Sequence, residues 1–138
     1  DNIIGKSAIR QRFSNISANV RLLSHYRDSS MINHDVKLEY YNLTDLYGLE
    51  ESNILLEVNL NRYFNKEFFN LLVSFDYRDD KYYKGTDTSS IQANTIILVN
   101  PSVSTDGNKY KFVVGISAYI ESEKLYGTSY NFYPNVYA

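Results

Sequence analysis

Apolar and polar residues alternate along most of this chain, with polar breaks between the alternating runs. Ile54, Leu56, Val58 and Leu60 alternate with Leu55, Glu57, Asn59 and Asn61. After Asn65-Lys66-Glu67, the set Phe69, Leu71, Val73, Phe75 and Tyr77 alternates with Phe68, Asn70, Leu72, Ser74, Asp76 and Arg78. A third run sets Tyr110, Phe112, Val114, Ile116, Ala118 and Ile120 against Lys111, Val113, Gly115, Ser117, Tyr119 and Glu121. A period of two sends successive side chains to opposite faces of a sheet. The pattern predicts strands near 9–26, 34–44, 53–64, 67–79, 90–102, 109–121 and 129–138. One face of such a sheet is aliphatic and aromatic. The other carries Arg21, Lys37, Glu39, Glu57, Asn59, Asn61, Asn70, Asp76, Arg78, Lys111 and Glu121. Two architectures share this pattern: a soluble sheet with its core inside, and a membrane barrel with lipid outside and water inside.

The breaks refine the choice. They are short or moderate at 27–34, 65–67 and 105–108, where Asp106-Gly107 is a strong hairpin signal. They are longer at 45–52, 79–90 and 121–129. In an up-and-down meander every second connection lies at the same end, so tight turns are expected at one end and longer loops at the other. Outer-membrane barrels show that asymmetry. A Greek-key sandwich has no reason to, because its long crossovers are not every second connection. The expected fold is all-β, an antiparallel up-and-down meander of about seven strands forming part of a transmembrane β-barrel.

With 138 residues, the chain reads as a single β-meander segment over 1–138, an internal part of a larger barrel. It opens at Asp1 without an initiator methionine or signal peptide, as though cut from something longer. A net charge of −2 with scattered Lys and Arg gives no electrostatic case for nucleic acid or for a polybasic membrane patch. The absence of Cys removes disulfides and thiolate metal sites. The longest aliphatic run, Ile96 to Val99, is far too short for a membrane-spanning helix, although barrel strands need only about 9–11 residues.

Candidate chemistry is sparse. Gly5-Lys6-Ser7 echoes the end of a phosphate loop but lacks the upstream glycine and preceding strand that chemistry requires. His25 and His34, the two histidines, flank one break and have no convincing third ligand. Asp76, Asp79, Asp80 and Asp87 cluster around a predicted loop with Lys81 and Lys84 among them, which suits a solvated loop better than a calcium site. Glu50 with Glu51 and Glu121 with Glu123 are sequence neighbours, and no placed acid–base pair or nucleophile follows from them. No enzyme, cofactor or metal is expected. There are 14 Tyr, 7 Phe and no Trp. Tyr47, Tyr82, Tyr83, Tyr126, Tyr130, Tyr133 and Tyr137 lie in or beside the longer breaks. Of these, Tyr47, Tyr82, Tyr83, Tyr126 and Tyr130 are candidate contacts for a small-molecule or glycan ligand; the competing reading is an interfacial aromatic girdle.

Val99-Asn100-Pro101-Ser102-Val103, the strand Tyr110 to Ile120, and Asn131-Phe132-Tyr133-Pro134-Asn135-Val136-Tyr137-Ala138 together resemble a pattern in outer-membrane β-barrel proteins similar to TonB-dependent receptors. There a strand ending in a proline turn precedes a glycine-containing strand, and then a strand opening on aromatic-Tyr-Pro-Asn-Val. The resemblance implies a bacterial outer-membrane location, the lipid bilayer as partner, and a parent active in uptake or transport. It covers 99–138 directly. The plug domain, the energy-coupling box and the terminal aromatic of such receptors are absent from this sequence, hence the expectation of an internal segment. The alternative is a soluble, exported β-sandwich module recognising carbohydrate or protein through its tyrosines.

Overall fold

The computed structural model describes residues 12–26, 31–84, 87–106 and 111–137. Seven strands follow in chain order: β1 (Phe13–Ser24), β2 (Asn33–Asp45), β3 (Leu49–Phe64), β4 (Glu67–Lys84), β5 (Asp87–Asp106), β6 (Lys111–Glu123) and β7 (Gly127–Tyr137). Each pairs antiparallel with the next, giving one open sheet in the order β1-β2-β3-β4-β5-β6-β7. The alternating runs thus fold as predicted, as an up-and-down meander of seven strands.

The turns have local causes. Asn65 adopts φ 57°, the left-handed conformation that Asn tolerates, so two residues suffice between β3 and β4. Between β2 and β3, Asp45 Oδ1 accepts the N–H groups of Tyr47 and Leu49, each at 2.8 Å, and Gly48 supplies φ 89°. Gly127, at φ 87°, closes the turn from β6 into β7. The β1–β2, β3–β4 and β5–β6 connections lie at one end of the sheet, the Asn65 end. The other three lie at the Gly48 end.

The expected long loops at 45–52, 79–90 and 121–129 are not loops. β3 begins at Leu49, β4 runs to Lys84, β5 begins at Asp87, and β6 runs to Glu123 with β7 starting at Gly127. The β4–β5 ladder continues through a register shift at Asp80/Lys81 as far as Lys84↔Asp87. The reason is that regular alternation of apolar and polar residues is lost at this end while backbone pairing persists. The predicted turn at Asp106-Gly107 falls largely outside the described residues. Thr105 and Asp106 belong to β5, and Gly107 and Asn108 lie outside the described residues.

Cross-strand register assigns the faces. The apolar face holds Ile16–Leu22 of β1, Val36–Tyr40 of β2, Ile54–Leu60 of β3, Phe69–Tyr77 of β4, Ile97–Val103 of β5, Phe112–Ile120 of β6 and Tyr130–Val136 of β7, counting alternate residues. Among the described residues no hydrophobic side chain is buried. Val20 is 57% exposed, Leu22 62% and Phe132 69%. The opposite, polar face is the more enclosed one: Ser117 is 5% exposed and Ser104 9%.

The apolar stretches also climb across the sheet. One ladder rung joins Asn19, Glu39, Leu55, Asp76, Ile96, Glu121 and Ser129. The midpoints of the seven stretches are Asn19, Leu38, Glu57, Val73, Asn100, Ile116 and Tyr133. Measured from that rung toward the Asn65 end, they stand 0, 1, 2, 3, 4, 5 and 4 residues away. Individual rungs change character accordingly. Ile16↔Asn42↔Ser52↔Asp79 runs from apolar to polar, whereas Ser24↔His34↔Leu60↔Leu71 runs from polar to apolar.

Candidate functional site on the polar face

The polar face divides into a charged half and a sparsely charged half. On β1–β3, Arg21 donates a two-pronged pair of hydrogen bonds to Asp35, Nε to Oδ1 at 2.8 Å and Nη2 to Oδ2 at 2.6 Å. Lys37 lies 3.1 Å from Glu39 and 3.7 Å from Glu57. Toward the Gly48 end, Glu51 accepts from the Tyr41 hydroxyl at 2.5 Å and from Arg78 Nη2 at 2.7 Å. Arg78 also approaches Asp80, while Asn53 donates to Asp76 at 2.6 Å. These cations and carboxylates satisfy one another, so the charged half is a knitted wall rather than a set of groups awaiting a ligand. Its exposed pairs contribute little to stability individually, because solvent screens them.

The sparsely charged half spans β5, β6 and β7. Register places Tyr119 beside Asn131, Ser117 beside Tyr133, and Gly115 beside Asn135. The rings of Tyr119 and Tyr133 meet edge to face, centroids 5.7 Å apart and planes at 75°. Asn135 Nδ2 donates to Ser117 Oγ at 2.7 Å. Ile96, Ser117, Tyr119, Glu121, Asn131, Tyr133 and Asn135 line a cleft of about 360 Å³. A larger depression, about 540 Å³, lies against apolar side chains such as Leu60, Phe69, Leu71, Val103, Val114 and Ile116. It offers almost no polar chemistry.

Pro101 and Gly115 shape this half. Pro101 has no N–H to give the β5–β6 ladder, and the pairing there passes from Val99↔Ala118 to Ser102↔Gly115. A Cβ on Gly115 would stand 2.8 Å from Pro101 O and 2.9 Å from Ser102 Cβ. Only glycine lets the two backbones approach this closely.

The five candidate tyrosines are not brought together. Tyr47 sits in the β2–β3 turn and Tyr126 in the β6–β7 turn, 50% and 85% exposed. Tyr82 and Tyr83 are consecutive residues of β4 rather than loop residues. Tyr130 lies on the apolar face, opposite Ile120. The cleft tyrosines are Tyr119 and Tyr133. The signal for Tyr119 was present in the sequence, since it stands on the polar parity of β6. Of the other motifs, Gly5-Lys6-Ser7 lies outside the described residues. His34 is hydrogen-bonded through Nδ1 to Ser24 Oγ at 2.6 Å, and His25 is exposed. Asp76 and Asp80 share the polar face, while Asp79 lies on the other face at 3.0 Å from Lys81, so these three belong to a strand and not to an acidic loop.

Comparison with known proteins adds no identity. No family model, curated protein or solved structure matches this chain. Function therefore rests on the geometry of the two faces.

Proposed function

We propose that this chain is a segment of a bacterial outer-membrane β-barrel wall, its apolar face toward lipid and its polar face toward a water-filled or plugged lumen. The observation that carries this reading is the climbing apolar band. A membrane is a flat slab. If strands cross it at a tilt, the lipid-facing stretch must shift along each successive strand by a fixed amount. From β1 to β6 the shift is one residue, about 3.4 Å, per inter-strand spacing of about 4.8 Å, which corresponds to a tilt of about 35°; β7 steps back by one residue. Membrane barrels tilt by about 35–45°. Stretches of seven to nine residues, as on β3 and β4, then cover about 20–25 Å of the membrane normal, close to the height of a barrel's apolar band.

Three further features support it. Tyr40, Tyr77 and Tyr130 mark the band's border on the Gly48 side, and Phe69 and Phe112 mark it on the Asn65 side, as interfacial girdles do. The buried side-chain oxygens without a protein partner among the described residues, Asn59 Oδ1 and Asn94 Oδ1, both belong to the polar face, where lumen water would reach them. The β4–β5 hairpin projects beyond the band at the Gly48 end, whereas the Asn65 turn closes close to the band edge. Barrels place their longer extensions outside the cell, so on this reading the Gly48 end faces the exterior. Uptake or transport by the parent barrel follows from the resemblance of residues 99–138 and from the wet inner wall.

The test is assembly in lipid. The full-length protein should insert into phospholipid vesicles and run as a compact, heat-modifiable band on a denaturing gel. A detergent-free, stable monomer that ignores vesicles would instead identify a soluble binding module.

A further inference from the structure

We propose that the cleft between β5, β6 and β7 is a binding subsite for an uncharged, polyhydroxylated ligand of the saccharide class. This deepens the lumen reading, though the cleft would bind such a ligand in a soluble module as well. Its volume, about 360 Å³, falls within the small end of ligand pockets, about 300–1,000 Å³. Tyr133 is 54% exposed and braced edge to face by Tyr119, so its ring presents open aromatic surface held in place. The C–H face of a sugar ring packs on such a surface.

The polar groups fit hydroxyls in number and kind. Asn135 commits its Nδ2 to Ser117, which leaves its Oδ1 as an acceptor. Asn131 offers a donor and an acceptor, the two phenols offer both, and Glu121 accepts two hydroxyl protons. Acceptors predominate, which suits a ligand rich in O–H donors. Charge argues the same way. Among the described residues Glu121 is the one carboxylate lining the cleft and no cation lines it, so an anionic ligand is disfavoured. Two rings at 75° form a corner and not the closed aromatic box that holds an ammonium group.

The experiment is saturation-transfer NMR on the full-length protein in detergent micelles, with maltose as the saccharide probe and choline as the cationic comparator. Maltose should receive saturation, chiefly at its ring C–H protons, and choline should not. Tyr133→Ala and Asn131→Ala should each weaken maltose binding at least tenfold. Tyr133→Phe should retain the stacking contribution, and Tyr130→Ala, on the opposite face, should change nothing. Transfer to choline alone, transfer to neither probe, or maltose binding unmoved by Tyr133→Ala would overturn the assignment. Heat-modifiable migration is read on the same samples. Maltose binding without lipid assembly would remove the barrel and keep the cleft, and assembly without maltose binding would do the opposite.

Discussion

At the scale of single residues, backbone geometry decides more than side-chain chemistry. Gly115 faces a proline carbonyl too close for any Cβ. Gly115→Ala is therefore expected to destabilise the lipid-assembled protein by about 1–3 kcal/mol through backbone displacement. Urea unfolding from vesicles measures this, and an unchanged midpoint would mean that β5 and β6 are less closely apposed. Asp45 holds two turn amides with one carboxylate oxygen. Asp45→Ala should cost about 1–2 kcal/mol by leaving them to water, while Asp45→Asn should recover most of it. The same unfolding series reads both variants. Neither effect was legible from sequence alone. Glycine in an alternating run signals a close approach, but which backbone approaches it depends on the partner strand, and register is a long-range property.

At the scale of the element, the period of two carried most of the information. All seven strands stand where alternation put them, because alternation is what a sheet with two different faces requires. Their lengths were misjudged where that difference disappears. Residues 79–90 are mostly polar with no regular alternation, and they read as a loop although the described ones pair as a hairpin. The candidate tyrosines are scattered over both faces and two turns for a related reason. Position beside a break says nothing of face, whereas parity within a strand does, and parity separates Tyr119 from Tyr130. The two-faced element yields a direct contrast. Val73 lies at the middle of the apolar stretch of β4, and Asn59 lies on the polar face of β3. Val73→Arg should cost about 2–4 kcal/mol in the bilayer. Asn59→Asp should be tolerated, with folding yield in vesicles near that of the unsubstituted chain. Equal tolerance of both would remove lipid from the apolar face.

At the scale of the whole molecule, the sheet has no apolar core among its described residues, and its hydrophobic surface is one inclined band. The incline separates a barrel wall from a plain two-faced sheet, and it can be probed along a single ladder rung. Leu38, Leu56, Phe75, Ile97 and Ile120 occupy one rung. Leu56 lies one residue from the midpoint of its stretch on β3, whereas Ile120 lies four residues from the midpoint on β6. In a membrane these two partners on the same rung sit at different depths, by about 8 Å at a tilt of about 35°. The deciding measurement is the unfolding free energy, in phospholipid vesicles, of Leu56→Arg against Ile120→Arg. A tilted barrel wall requires Leu56→Arg to cost about 2–4 kcal/mol and Ile120→Arg about 0–1 kcal/mol. Equal costs at the two positions would contradict the inclined lipid-facing band on which the functional reading stands.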